Sequence, residues 1–253
     1  MARLDAEVFR RALTQSRTRA DELIRKGNVK LNGKVCIKPS QNACEDDLIE
    51  VIDSIPYVSR AGLKLEYALE SFGVSCKDKV VLDVGASTGG FTQCLLQRGA
   101  SKVWAVDVGR DQMAPVLAND ERVILFEGVN ARNLNPKLLN GIADMAVMDV
   151  SFISQTLLYT SVFSCISLSA PIITLIKPQF EAGKEYLNKS GIVKDKKVHI
   201  AVLEKINANT QTNGRYLTKL VRSPITGGDG NIEYLGLFET SPSEPIDFSN
   251  IVA

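Results

Sequence analysis

Several features that would each have assigned a class are missing from this sequence. No apolar run approaches the roughly 18 residues that a membrane-spanning helix needs; the longest, such as Ala170-Pro171-Ile172-Ile173-Thr174-Leu175-Ile176, fall far short. The amino terminus, Met1-Ala2-Arg3-Leu4-Asp5, has no apolar signal segment. The five cysteines (Cys36, Cys44, Cys76, Cys94 and Cys165) are odd in number, scattered and without a C-x-x-C pair. That pattern indicates no zinc site and fits reduced thiols in a cytoplasm. There is one histidine, His199, and a net charge of +1 that says little about partners. What remains is an ordinary soluble globular composition: 253 residues, 45% of them apolar, enough for one large domain or a small one plus a medium one.

The most informative segment present is Val80-Val81-Leu82-Asp83-Val84-Gly85-Ala86-Ser87-Thr88-Gly89-Gly90-Phe91. It reads as an apolar strand, a glycine-rich turn and a helix start, the arrangement that cradles a nucleotide-like cofactor. A second apolar run, Val103-Trp104-Ala105-Val106, ends in Asp107, an acid placed to hold two ribose hydroxyls. The glycines at 85, 89 and 90 do not fit the dinucleotide pattern G-x-G-x-x-G, and Phe91-Thr92 stand where a P-loop needs Lys-Ser/Thr. An acid two residues before the first glycine, then small residues and an aromatic, is the style of S-adenosylmethionine sites. Gly85-Ala86-Ser87-Thr88-Gly89 also satisfies the G-x-S-x-G nucleophile elbow of α/β hydrolases, with Asp149 or Asp195 and His199 following in order. Against that rival, the elbow sits on the first strand of its domain, no His-Gly-Gly-Gly segment occurs, and His199 lies at a charged helix start.

Charge is uneven along the chain. Between Arg3 and Lys38 ten basic residues face only Asp5, Glu7, Asp21 and Glu22, a local basic patch. The patterning there predicts a helix around Asp5 to Leu13 and a second after Ser16, its N-cap, stopped by Gly27. Asn32-Gly33 between alternating residues predicts a hairpin, and a third strand is expected at Asp47–Val51. Arg3-Leu4-Asp5, Ser16-Arg17-Thr18-Arg19-Ala20, Gly27-Asn28-Val29 and Leu31-Asn32-Gly33 resemble the S4 RNA-binding domain. The resemblance implies binding to structured RNA through Arg17, Arg19 and neighbouring bases, among them Arg3, Lys34 and Arg60.

Ile55-Pro56-Tyr57-Val58 reads as a linker, since Pro56 forces its predecessor to be extended. A helix follows in Arg60 to Phe72, with Ala61, Leu65, Ala68, Leu69 and Phe72 as its apolar stripe and Lys64 at the edge. Strands near Val80, Val103, Val123, Ala146 and Ile172 alternate with helices, which only a mostly parallel sheet covered on both faces joins economically. Two last strands, near Tyr216–Val221 and Ile232–Phe238, flank the loop Gly227-Gly228-Asp229-Gly230-Asn231 and predict a closing antiparallel hairpin. Ligands of such sheets sit beyond the strands' carboxyl ends. There the fourth strand ends at Asp149 and the fifth at Lys177. Lysines and carboxylates in one cleft suit a ribose 2′-hydroxyl attacking a sulfonium methyl, because the hydroxyl must shed its proton as it attacks. A lysine accepts that proton only as the neutral amine, a form that a second ammonium and partial burial favour.

Nearly the whole chain resembles one family, the TlyA or hemolysin A-like rRNA 2′-O-methyltransferases, shorter form. The motifs that carry the resemblance are Ser59-Arg60-Ala61-Gly62-Leu63-Lys64-Leu65, Asp83 to Thr92, Asp149-Val150-Ser151-Phe152-Ile153-Ser154, Ile176-Lys177-Pro178-Gln179-Phe180-Glu181 and Gly230-Asn231-Ile232-Glu233-Tyr234. It implies an α/β class I methyltransferase sheet preceded by a small α+β S4 domain, with bounds at 1–54, a linker at 55–59 and 60–253. It implies a catalytic set of Lys64, Asp149, Lys177 and Glu233, with Lys177 as proton acceptor. The cofactor, S-adenosyl-L-methionine, is implied to lie on Asp83, Gly85, Ala86, Ser87, Gly89, Gly90 and Phe91, with Asp107 on its ribose and Asn130-Ala131-Arg132 near its adenine. Family substrates are cytidines of ribosomal RNA; compact ends favour the 23S site of the large subunit alone, the alternative being both 16S and 23S. A monomer in the cytoplasm is expected, with no metal and no membrane. A non-catalytic RNA-binding protein would not require the four polar residues together, and a membrane-damaging hemolysin would need an amphipathic or apolar segment that is missing. Some relatives carry an arginine and a tryptophan in the linker, which this sequence lacks.

Overall fold

The computed structural model describes residues 2–25, 27–51, 56–227 and 230–252. Ile55 of the expected linker, Gly228-Asp229 of the expected hairpin loop and Lys26 lie outside them. The chain divides into two compact units, Met1–Pro56 and Tyr57–Ala253.

In the first unit β1 (Ala2–Arg3) leads into α1 (Leu4–Arg10), α2 (Arg17–Arg25), β2 (Val29–Leu31), β3 (Lys34–Cys36), β4 (Asn42–Ala43) and β5 (Ile49–Val51). Strands β3, β2 and β5 form an antiparallel sheet in that order, and β1 pairs with β4, a pairing that two-residue strands do not announce in sequence. Asn32 and Gly33 both have positive φ (51° and 78°), the backbone that a two-residue hairpin requires. The Ser16 hydroxyl accepts from Arg19 N at 3.1 Å and caps α2. Beyond α2, Gly27 is left-handed (φ 76°), and Asn28 N donates to Leu23 O, a Schellman stop. The first helix is shorter than the expected Asp5 to Leu13: it ends at Arg10, because Ala12 turns left-handed (φ 54°) and the Arg11 guanidinium reaches across to the carbonyls of Cys44, Glu45 and Asp47. Leu4, Val8, Leu23, Ile24, Val29 and Ile49 make the core of this unit.

The second unit opens with α3 (Ala61–Phe72) and alternates β6 (Val80–Val84), α4 (Gly90–Gln97), β7 (Lys102–Asp107), α5 (Pro115–Ala118), β8 (Val123–Glu127), α6 (Pro136–Leu139), β9 (Met145–Met148), α7 (Tyr159–Ser164), β10 (Ile172–Ile176), α8 (Pro178–Glu181), α9 (Lys196–Thr212), β11 (Tyr216–Arg222), β12 (Tyr234–Glu239) and α10 (Phe248–Val252). Seven strands make one sheet in the order β11-β12-β10-β9-β6-β7-β8. β6 to β10 run parallel, and β12 lies antiparallel between β10 and β11. All four residues of β9 and all five of β10 are buried, as strands covered on both faces must be. β12 starts at Tyr234 rather than Ile232. Asn231 and Glu233, both buried, stand just before it: Asn231 bonds to the loop before α9, and Glu233, whose carbonyl still accepts from Ser223 N, sends its side chain to α3. Strand order reverses between β6 and β9, so the crevice beyond their carboxyl ends is where a ligand belongs.

Candidate active site

The turn after β6 is built for close approach. Gly85, Ser87 and Gly89 have φ of 84°, 46° and 95°, a sequence of left-handed residues that aims the chain into α4. A Cβ at Gly85 would lie 2.5 Å from the Asp149 carbonyl oxygen, and one at Gly90 would strike Ser59. Ser87 and Thr88 are exposed at the tip, whereas Ala86 and Phe91 are buried. Phe91 thus offers a ligand its backbone rather than its ring. The Asp107 carboxylate accepts from Ser87 N at 2.8 Å and Gly109 N at 2.7 Å, tying the end of β7 to the turn. Val129 N donates to Asp107 O, which brings the Asn130-Ala131-Arg132 turn alongside, and Asn130 caps it by accepting from Arg132 N at 3.0 Å. Asp83, fully buried on β6, accepts from the Thr92 hydroxyl at 2.6 Å through Oδ2, while its Oδ1 has no partner among the described residues. Burial pushes the Asp83 carboxyl up to about 7, with the nearby Asp149 and Asp107 charges adding to the shift against the Thr92 bond.

Lys64, Asp149, Lys177 and Glu233 come together as two ion pairs. Lys64 Nζ on α3 meets Glu233 Oε2 at 2.5 Å, with side chains only 9% and 3% exposed. Lys177 Nζ stands 2.6 Å from Asp149 Oδ1 at the ends of β10 and β9, and donates to Ser151 Oγ at 2.8 Å. The Asp149 contact lacks hydrogen-bond alignment, so charge holds it rather than a directed bond. Gln179, two residues after Lys177, donates to Glu233 Oε1 at 3.5 Å.

The hydrolase alternative has no triad. Both ring nitrogens of buried His199 are taken, Nε2 by Val193 O and Nδ1 by the Tyr234 hydroxyl, each at 3.0 Å.

Residues 57–239 match the FtsJ-like methyltransferase family, and residues 2–49 match the S4 domain. The chain belongs to the TlyA family of FtsJ-like methyltransferases. It is 40% identical over 92% of its length to the 16S/23S rRNA (cytidine-2′-O)-methyltransferase TlyA of Mycobacterium tuberculosis, covering 88% of that protein. It is 36% identical over 92% of its length to the 23S rRNA (cytidine-2′-O)-methyltransferase TlyA of Campylobacter jejuni, covering 97% of it. A solved structure of a hemolysin-named protein from Streptococcus thermophilus, 36% identical, superposes with a TM-score of 0.80 over 99% of this chain and 94% of that one.

This TlyA-family site holds further residues to which sequence reasoning assigned no role. Glu181 (7% exposed) accepts from Ser154 Oγ at 2.6 Å and Gln155 N at 2.7 Å, and so fastens the loop that carries Asp149 to the turn that carries Lys177. Gln155 in turn donates to Leu175 O and accepts from the Tyr159 hydroxyl. Phe152 is 91% exposed with φ 63°, its ring 4.9 Å from that of Phe180, over which the Lys177 ammonium sits at 5.9 Å. An aromatic three residues after a strand-end acid was the one signal that could have drawn attention to it.

In the first unit Arg3 and Arg17 converge on Asp5, each through Nε at 3.0 Å, and Arg19 pairs with Glu22 at 2.7 Å. Burial alone would raise the Asp5 carboxyl, but the bonds from Arg3 and Arg17 bring it down to about 2. Lys34 is exposed on β3. Arg60 immediately precedes α3 in the second unit, so it stands apart in the chain from this set.

Proposed function

We propose that this protein transfers a methyl group from S-adenosyl-L-methionine to the 2′-hydroxyl of a cytidine in ribosomal RNA, at a 23S site of the large subunit. The observation that carries the reading is the pair of ion pairs, Lys177–Asp149 and Lys64–Glu233, at the carboxyl ends of a methyltransferase sheet. The names of the relatives support the substrate class. In this reading residues 60–253 perform the chemistry, and residues 1–54 hold RNA through Arg3, Arg17, Arg19 and Lys34, with Arg60 adding a contact.

The turn fits such a cofactor. Its residues 87 and 88 are exposed at the tip, it carries no lysine for a triphosphate, and the Asp107 carboxylate at the end of β7 is tied to the same turn as an acceptor for ribose hydroxyls. Gly85, Ala86, Ser87, Gly89, Gly90 and Phe91 would hold the cofactor through the turn, Asp83 from beneath it, and Asn130, Ala131 and Arg132 at the base. When bound, the cofactor supplies an electrophilic methyl on a sulfonium. Lys177 in its neutral-amine form takes the proton from the ribose hydroxyl as the oxygen attacks and so becomes the ammonium that Asp149 holds, a contribution of about 10²–10⁴-fold for a positioned base. Asp149 and Ser151 orient its amine, and Glu233 holds Lys64. Exposed Phe152 offers a face on which an unstacked base can lie.

The test is transfer of labelled methyl to purified ribosomal subunits by the intact chain and by Lys177→Ala. Label confined to large-subunit RNA and reduced by at least about a hundredfold in the variant supports the reading. Label on both subunits moves the target to the dual specificity named for the M. tuberculosis relative, a choice that identities of 40% and 36% do not make. Wild-type protein that binds cofactor but labels neither subunit sinks the proposal.

A further inference from the structure

We propose that the segment of residues 182–197, between α8 and α9, is a second RNA-contact surface that grips the phosphate backbone flanking the target ribose. The inference rests on the RNA-methylating reading above and adds to it a partner surface outside the S4 unit.

Its charge is out of proportion to its length. Ten of the chain's thirty basic residues and nine of its twenty-nine acidic ones fall in residues 1–56, leaving twenty of each beyond. Five of those twenty basic residues, Lys184, Lys189, Lys194, Lys196 and Lys197, lie within these sixteen positions, against only Glu185 and Asp195. The segment is therefore +3 while the rest of its unit is −3. Asp195 is already engaged, capping α9 by accepting from Lys197 N at 2.9 Å. All five lysines are exposed, and the ammonium groups of Lys184, Lys189, Lys194 and Lys197 have no partner among the described residues. Tyr186, 53% exposed, stands among them.

The backbone under these charges is framed. Asn188 Oδ1 accepts from Ser190 N and Ile192 N, both at 2.9 Å, closing a tight turn. Buried Asn231 clasps the segment from the other side, accepting from Val193 N at 3.2 Å and donating to Gly191 O at 3.1 Å. Asn231 is two residues from Glu233, and the segment begins directly after Glu181 of the Lys177 turn. The lysines are thus carried on a frame that begins beside the Lys177 turn, where β10 ends, and is clasped at residues 191 and 193 by a near neighbour of Glu233. A merely solvated charge run has no need of that frame. The charges are spread over sixteen residues with no converging donors, which suits a polyanion rather than a small anion, and lysines without carboxylate partners are free to replace its counterions.

The test uses the full chain with Lys184, Lys189 and Lys194 all changed to Glu, a second variant with all three changed to Gln, and a third with all three changed to Arg. Methyl transfer to ribosomal RNA is followed across a salt series, and cofactor affinity is measured by calorimetry. We expect the Glu variant to raise KM for RNA at least about tenfold and to flatten the log–log salt dependence by roughly 0.7–0.9 for each phosphate no longer neutralised. The Gln variant should fall between, the Arg variant should match wild type, and kcat at saturating RNA and cofactor affinity should not change. Unchanged KM and salt slope in both Glu and Gln variants would overturn the inference while leaving the proposed function intact. So would an Arg variant as impaired as the Glu variant, since that would trace the effect to the loop's shape. A wild-type chain with no salt-dependent affinity for ribosomal RNA would instead overturn the RNA reading and the inference with it.

Discussion

Asp83 is an acid held where water does not reach, and its chemistry follows from that. Its folded pKa of about 7 lies above the ordinary 3.8, so the folded state favours its protonated form. The stability this contributes is fully present below about pH 4 and is lost as pH rises toward 7. Asp83→Asn keeps an acceptor for Thr92 and removes the titration. It should therefore flatten the stability profile between pH 4 and 7, a difference on the order of a few kcal/mol readable in denaturant titrations. Asp5 and Glu7 behave in the opposite sense. Burial opposes ionisation of Asp5, but Arg3 and Arg17 hold its carboxylate near 2; Arg10 and Arg11 do the same for Glu7. Their stabilisation is present above about pH 4.5 and is lost as pH falls toward 2. Wild-type protein should show a steep acid loss in circular-dichroism melts that Glu7→Gln makes shallower. Lys177 and Asp149 were legible as candidates because a charge that ends a strongly apolar strand points to a cleft. The burial of Asp5 was not legible, since an acid in a basic helix reads as solvated until its two arginines are seen to converge.

Among the elements, the connections after β9 and β10 carry Asp149 and Lys177, and Glu181 of the second is bonded to Ser154 and Gln155 of the first. Removing it with Glu181→Ala leaves Gln155 N and Ser154 without their acceptor and should cost about 1–3 kcal/mol of stability. It should also lower kcat by one to two orders of magnitude, as misplacement on the ångström scale does, with cofactor affinity unchanged. Single-turnover rates and calorimetry would separate the two effects, and Glu181→Gln should recover most of the rate. Gly85→Ala is expected to cost about 1–3 kcal/mol, because φ of 84° and the Asp149 carbonyl 2.5 Å from its Cβ both oppose a side chain. Denaturation midpoints with and without cofactor would report it, and full retention of both stability and affinity would contradict this account of the turn. Strand positions, the Asn32-Gly33 hairpin and the cap at Ser16 were legible because each rests on a period or a local bond. The end of α1 and the start of β12 were missed because Arg11 and Glu233 answer to partners elsewhere in the chain.

For the molecule as a whole, two compact units place an S4 domain and a methyltransferase sheet in one polypeptide, and under the proposed function RNA affinity should depend on salt. Arg17→Glu should weaken binding across RNA sequences and reduce the log–log salt slope by about 0.7–0.9 for each phosphate that the arginine had neutralised, measured by filter binding. A slope equal to wild type would remove Arg17 from the interface. The sequence by itself determined the alternation of strands and helices, the glycine turn, the closing hairpin and the family, since all of these rest on short-range periodicity and local motifs. Only the tertiary structure decided the pairings. Lys64 and Glu233 are 169 residues apart, Ser154 and Glu181 are 27 apart, and Lys177 finds Asp149 because β10 lies beside β9. A buried charge takes its partner from whichever strand end packs against it, and that neighbour is set by sheet order rather than by distance along the chain.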